Sequence, residues 1–451
     1  MDMKPNVLFI TIDSLRADKI FGSKKSSVTP NFDKLIKNGI SFTQTISTSD
    51  ITGPCLGSLF TSLFPFKTGI TLFTPNSKIK TFFEIIKDAG YNVYTLYPDS
   101  SFFLNITKPL VENDPYVYSK RESWVQLFGG LGNRIVDKLD KTLSEPWLYY
   151  IHLMDLHAPF KMPSEFDSEK YGETKHDRMI SAIDSWLGKF LEKINLENTL
   201  VVISSDHGDY LLHKTDPLHH PKGNSILKKG KKLFPLLEPL VVKIYYAYQN
   251  LKEKKELGSL KNTHTERELI ALSGRGNSHL FDETIRIPLI FSGYGTSPKQ
   301  INQMVRQIDI FPTIADVLKI DYDANLVDGQ SLKPLFLDNN VKEIPTYIET
   351  GAKYIKNSKT PKVNGKVIGI RTSKYKYWRS RNNPSKDVTL YDLINDPLEE
   401  KNIALENNLV VKQMEDLIQN LKKDSIEITP KQFSKDEEKI IEDELKKLGY
   451  I

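Results

Sequence analysis

The sequence predicts an α/β fold: a large, mostly parallel sheet covered by helices on both faces, followed by a small C-terminal antiparallel sheet. Three observations carry the prediction. Short β-rich runs alternate with helix-length amphipathic stretches. The runs are apolar almost throughout, as strands buried on both faces are. Asp13, His157 and Asp206 fall just past the ends of such runs, where ligands bind in open α/β sheets.

The first strand is Asn6-Val7-Leu8-Phe9-Ile10-Thr11-Ile12, ending at Asp13. Asn31-Phe32-Asp33-Lys34-Leu35-Ile36 then spaces its apolar residues for a helix. Thr52-Gly53-Pro54-Cys55-Leu56-Gly57-Ser58 is a small-residue turn leading into an apolar run. Phe82-Phe83-Glu84-Ile85-Ile86 predicts a second helix, and residues 91–96 a second strand. Further strands are predicted at 147–152, 199–203 and 287–291; the strand at 199–203 runs into Ser204-Ser205-Asp206-His207-Gly208-Asp209.

Residues 225–268 break this rhythm. Lys228-Lys229-Gly230-Lys231-Lys232 precedes the apolar Leu233-Phe234-Pro235-Leu236-Leu237, and Lys252-Glu253-Lys254-Lys255 follows. The segment reads as an insertion. Its role is open between a helical subdomain with a solvated basic rim and a lid for an anionic or lipid-linked substrate, with peripheral membrane contact through 225–256. From about residue 365 a second unit begins, with strands at 366–371, 374–378 and 389–393. A helical tail carries Met414, Leu417, Ile418 and Leu421 on one face. The division expected is 1–360 for the main domain and 361–451 for the C-terminal subdomain.

With 451 residues, 39% of them hydrophobic and 26% charged, the chain has the composition of a soluble globular protein with room for a large core. Its net charge of +5 is spread over 62 basic and 57 acidic residues, which argues against a nucleic-acid partner. One cysteine, Cys55, excludes an internal disulfide framework and a multi-cysteine metal site. No leader-like segment precedes the first strand and no apolar run is long enough to span a membrane, so a cytoplasmic location is expected.

An adjacent acid and imidazole at the end of a buried strand must meet something positive, since buried carboxylates are rarely left unpaired. Asp206, His207 and Asp13, with the Thr52 hydroxyl on the intervening turn, suggest a divalent metal with a nucleophile beside it. Asp13, Asp206 and His207 are the expected ligands of one cation, with Thr52 as a further ligand. Hard oxygens with one imidazole suit Mn²⁺, Mg²⁺, Ca²⁺ or Zn²⁺. His213, His219 and His220 could supply a second metal or be ordinary loop residues. For Thr52 the rival role is a helix cap; for Cys55 it is that of a small packed thiol.

Seven ordered segments resemble the sulfatase branch of the alkaline-phosphatase superfamily: 5–13, 29–35, 60–65, 152–160, 205–208, 282–290 and 390–402, the last reading Leu390-Tyr391-Asp392-Leu393-Ile394-Asn395-Asp396-Pro397. The resemblance implies the α/β fold above and metal-assisted cleavage of sulfate or phosphate esters. It gives His157 the role of contacting the transferred group or protonating the leaving oxygen, and places His279 near the substrate, with Arg275 a rival occupant. The chain departs from the pattern in several places. Sulfatases carry Cys or Ser, two residues before proline and four before arginine, for oxidation to formylglycine. Here Thr52 holds that position, Pro54 matches, and Leu56 replaces the arginine. Tyr97-Pro98-Asp99-Ser100 stands where a Lys-x-His segment is expected, and Ser14 replaces a second acid. Threonine cannot give the same aldehyde. The expectation is therefore hydrolysis or transfer of phosphate esters, diesters foremost, through a Thr52 nucleophile activated by the metal. The alternatives are a sulfuric ester hydrolase and a non-catalytic relative that binds an anion or glycan. The substrate expected is a small-molecule, glycan or lipid-linked ester.

Overall fold

The computed structural model describes residues 4–23, 25–71, 79–107, 112–117, 126–157, 161–210, 265–271, 274–337, 339, 341–351 and 365–423. The chain forms two compact units, Met1–Asp209 with Arg275–Ile451, and Tyr210–Gly274. The described part of the second unit includes the short helix Glu266–Ala271. The expectations for His213, His219, His220 and most of 225–268 lie outside the described residues. The first unit carries two sheets.

Its main sheet has nine strands: β1 (Asn6–Ile12), β2 (Ile40–Ile46), β3 (Asn92–Pro98), β4 (Glu112–Tyr116), β5 (Trp147–Leu153), β6 (Thr199–Ser204), β7 (Arg286–Gly293), β8 (Lys299–Ile301) and β9 (Val305–Arg306). They lie in the order β4-β3-β5-β1-β6-β7-β2-β8, with β9 also on β2. Only β7 is antiparallel to its neighbours. The predicted strands are all present, and the predicted fold class is the observed one.

β1 sits in the middle because every one of its side chains is buried. Val7 and Phe9 join the apolar cluster on one face of the sheet, while Leu8, Ile10 and Ile12 join the cluster on the other. The helix α1 (Pro30–Asn38) starts on a proline, and its first amides are met from outside. The Asp184 carboxylate accepts from Phe32 N–H at 2.8 Å and from Asn31 N–H at 3.1 Å, satisfying orphan donors of the first turn. Pro288 lies inside β7, where it can donate no ladder bond. The β2 register slips between Phe42 and Thr45, opposite that proline, and the irregularity absorbs the missing donor.

A second sheet holds β10 (Thr346–Glu349), β11 (Val367–Arg371), β12 (Tyr375–Ser380) and β13 (Thr389–Asp392), antiparallel throughout. The helix Asn408–Lys422 buries Met414 and Ile418 in a cluster with Ile368, Ile370 and Tyr377 of this sheet. Arg379 and Glu415 add an ion pair at 2.9 Å.

One buried acid makes stability pH-dependent. Asp155, after β5, is 1% exposed and accepts from Leu127 N–H at 3.1 Å. Burial pushes its carboxyl up to about 7. A folded-state value above the unfolded one means that this group's contribution is complete below the unfolded value near 4 and is lost as pH rises through 7. About 4 kcal/mol is at stake over that window. Asp155→Asn keeps the acceptor and removes the charge. Its melting temperature is expected to gain on wild type steadily from pH 5 to pH 8, and parallel curves over that range would contradict the assignment.

Candidate active site

Strands β1 and β6 are parallel neighbours in register, Thr11 opposite Ser204, so the residues just past them are brought side by side. These are Asp13 and Asp206. The Asp13 amide donates to Leu153 O at 2.9 Å, which fixes the end of β1 against β5. Ser14 then takes a left-handed conformation, φ 64°, uncommon for a residue with a side chain. The turn sends Ser14 N–H to Asp206 Oδ1 at 3.3 Å and Ser14 Oγ to Asp13 Oδ1 at 2.6 Å. The serine that replaces an acid in the family pattern thus serves as a donor that orients the first carboxylate. On the β6 side, Ser205 Oγ reaches Ile12 O at 2.7 Å and Gln307 Nε2 holds Asp206 O at 2.7 Å. Gly208 must be glycine: a Cβ there would lie 2.1 Å from Glu283 O.

The third contributor is the helix α2 (Thr52–Thr61), every residue of which is buried. Its N-cap is Ile51, so Thr52 is the first helical residue and its hydroxyl is not the cap. Instead Thr52 Oγ1 lies 3.3 Å from Asp13 Oδ2 and 3.1 Å from His207 Nε2. One donor atom each from Asp13, Asp206 and His207 fall within 4.8 Å of one another, all three residues buried. His207 Nδ1 donates to Gly208 O at 2.8 Å, which leaves the Nε2 lone pair facing the cluster.

Opposing charges meet in this cluster. Burial alone pushes Asp13 up, but His157, His207, Arg275 and His152 outweigh it and hold the carboxyl below the usual range. Burial, and then the charge of Asp13, push Asp206 well above that range. Burial and the Arg275 charge lower His207 to about 3, so its imidazole is neutral at pH 7. Two carboxylates and a neutral imidazole lone pair make a donor set that fits a hard divalent cation. The residues that would hold it are Asp13, Asp206 and His207, with Thr52 Oγ1 beside them.

Arg275 joins this group directly. Its Nη1 lies 2.7 Å from His207 Nε2 and 2.9 Å from Nδ1, and its Nε is 3.3 Å from Asp209 Oδ1. His157 is buried after β5 and is among the groups that hold the Asp13 carboxyl down. His279 is fully buried and stacks on Phe281 at 5.1 Å, just ahead of the short helix Asp282–Ile285.

Two residues near the site are not singled out from the sequence. His152 Nε2 lies 3.9 Å from Asp13 Oδ2. Asp50 accepts from Gly276 N–H at 2.5 Å and from Gly351 N–H at 2.8 Å, joining two distant loops just ahead of α2. His152 opens one of the family-like segments and is an imidazole within an otherwise apolar strand; nothing local points to Asp50. The departures from the family pattern have packing explanations. Leu56 is fully buried in the core cluster, Cys55 Sγ donates to Ser49 O at 3.0 Å, and Tyr97 stacks on Phe103 at 5.5 Å.

The sequence model of the sulfatase family matches residues 5–320. The chain belongs to the sulfatase family. A second match, to the C-terminal region of N-sulphoglucosamine sulphohydrolase, covers residues 277–428. Among sulfatase relatives, an endo-4-O-sulfatase of Bacteroides thetaiotaomicron is 23% identical over 485 aligned positions, covering 91% of this chain and 90% of that protein. An uncharacterised protein of Haemophilus influenzae is 31% identical over 210 residues, 46% of this chain, and the match spans 32% of that protein's length. Among solved structures, a 2-O GAG sulfatase superposes with TM-score 0.64 at 16% identity, covering 93% of this chain and 92% of that one. The phosphonate monoester hydrolase of Agrobacterium radiobacter superposes equally well, TM-score 0.64 at 15% identity, covering 93% and 95%. At these identities the superpositions establish a shared fold. Among the described residues no helix is long and apolar enough to cross a membrane.

Proposed function

We propose that this member of the sulfatase family is a metal-dependent hydrolase of sulfuric esters carried on a glycan. The observation that supports it is the convergence of Asp13, Asp206 and His207 around the Thr52 hydroxyl at the start of a buried helix. The ester class follows the relatives, an endo-4-O-sulfatase and a 2-O GAG sulfatase. The expectation of a phosphodiesterase has no support among them.

A divalent cation bound to the acidic pair would polarise an oxygen of the ester's anionic group and lower the proton affinity of the Thr52 hydroxyl. Thr52 Oγ1 attacks the sulfur as its proton passes to the carboxylate pair. The S–O bond to the sugar breaks, and His157 donates a proton to the departing oxygen. Water, giving a proton back to His157, then attacks the sulfur of the threonyl ester; the S–O bond to Thr52 breaks, its oxygen takes back the proton held by the carboxylate pair, and sulfate leaves. Arg275 and His279 hold the anionic group during attack.

One observation favours a second reading, a phosphate or phosphonate monoester. Position 52 holds a threonine, which cannot supply the aldehyde associated with sulfate cleavage, and the phosphonate monoester hydrolase shares the fold. A panel of aryl sulfate, aryl phosphate, aryl phosphonate and bis-aryl phosphate, assayed with Mn²⁺ and with chelator, separates the two. The expected result is sulfate turnover that chelator abolishes. Turnover confined to phosphorus esters would favour the second reading, and turnover that survives chelator would sink the metal-dependent mechanism.

A further inference from the structure

Arg275 places a second positive charge against the imidazole that a metal would use. His207 Nδ1 is committed to Gly208 O, so Nε2 holds the lone pair that a metal would take. Arg275 Nη1 lies 2.7 Å from Nε2 and 2.9 Å from Nδ1, so the guanidinium charge sits against the whole imidazole, while Thr52 Oγ1 is 3.1 Å from Nε2. The guanidinium charge also acts on both Asp13 and Asp206. A guanidinium this close to Nε2 repels a divalent cation placed on the same nitrogen. Arg275 stands between Gly274 and Gly276, both at positive φ, 73° and 69°, conformations that glycine adopts freely. No Cβ contact would crowd Gly274. The Asp50 carboxylate anchors Gly276 N–H at 2.5 Å, so the main chain is held at one side while the arginine swings. Arg275 Nε remains within 3.3 Å of Asp209, a second acceptor outside the metal-binding trio.

We infer that Arg275 is a built-in counter-ion of the metal centre: it and the cation are alternative positive charges beside His207, Asp13 and Asp206, and metal binding releases the guanidinium to hold the substrate's anionic group. The inference rests on the metal-dependent reading above. It makes Arg275 the residue that links cofactor loading to substrate affinity, a role that position 56, a buried leucine, does not fill. A guanidinium suits the second task because its planar fork matches the oxygens of sulfate or phosphate.

The test is a calorimetric titration of Mn²⁺ into metal-stripped wild type, Arg275→Gln and Arg275→Lys, with near-UV circular dichroism to confirm folding. Arg275→Gln removes the competitor, so it is expected to bind Mn²⁺ on the order of ten-fold more tightly. The same variant should raise KM for the ester and leave kcat less affected. Arg275→Lys keeps the charge without the fork, so its gain in Mn²⁺ affinity should be smaller; it also serves if the glutamine variant does not fold. Unchanged or weaker Mn²⁺ binding in the folded variants overturns the counter-ion role and leaves the metal site standing. Absence of Mn²⁺ binding by wild type overturns both the inference and the metal-dependent reading.

Discussion

Thr52→Ala is expected to lower kcat by about three to five orders of magnitude, the range seen when an attacking group is deleted from a preorganised site. The hydroxyl is the one neutral nucleophile in contact with both Asp13 and His207 among the described residues. Its position is fixed by the helix that starts at Thr52 and not by a flexible loop. The loss should fall on kcat and not on KM, because Oγ1 acts on the reacting atom and not on the remote part of the substrate. Folding should survive. One buried hydroxyl hydrogen bond is worth about 1 kcal/mol, and alanine is compatible with the first helical turn. Mn²⁺ binding should also persist, since Asp13, Asp206 and His207 remain. Thr52→Ser restores the hydroxyl and is expected to recover most of the activity. If Thr52→Ala turned over at the wild-type rate, the attacking group would have to be water, and Thr52 would be reduced to a packing residue.

The parts of this molecule that are legible in the sequence share one property: their pattern is local. β1, β5 and β6 are continuous apolar runs because they are covered on both faces, and such runs stand out by themselves. β2 escapes prediction because its seven residues, Ile40-Ser41-Phe42-Thr43-Gln44-Thr45-Ile46, include four polar ones and a register slip. β4 reads Glu112-Asn113-Asp114-Pro115-Tyr116 and pairs only with β3 at the sheet edge, where burial imposes no pattern. The reversed direction of β7 cannot be read at all, since side-chain alternation is the same for parallel and antiparallel strands.

The candidate site divides in the same way. Asp13, Thr52, Asp206 and His207 are legible because strand ends and a small-residue turn mark where ligands gather in this fold class. Their meeting depends on the β1–β6 register, which the sequence does not display. Arg275 is a candidate from the sequence, but its contact with His207 spans 68 residues. Ser14 reads in the sequence as a loss of charge. Its left-handed turn and its 2.6 Å bond to Asp13 are properties of the folded backbone.

Lys376→Met should be the most damaging substitution outside the site. Lys376 is fully buried on β12, and its ammonium meets Asp282 Oδ1 at 2.5 Å, Glu399 Oε1 at 2.6 Å and Leu280 O at 3.1 Å. Methionine fills nearly the same volume, so the loss is of charge and not of packing. It would leave the buried Glu399 carboxylate facing the half-buried Asp282, with Arg371 pairing with Asp282 at 3.2 Å. Removing one partner of a buried ionic cluster costs about 3–5 kcal/mol, a drop in melting temperature of roughly 3–5 °C for a chain of this length. Burial pushes Glu399 up, Lys376 holds it down, and Asp282 pushes it up again. Without the lysine, Glu399 rises further. A carboxyl raised in the folded state contributes stability at low pH that is lost as pH rises, so the deficit should be larger at pH 8 than at pH 5. Adding Glu399→Gln should recover part of the loss, since it removes the charge left without its partner. The effect reaches the site as well. Leu280 and Asp282 follow His279 closely in the chain, so catalytic efficiency per folded molecule should also fall. Thermal unfolding of the single and double variants at both pH values decides the matter. A single variant that melts with wild type at pH 8 would show that Arg371 alone can neutralise the pair.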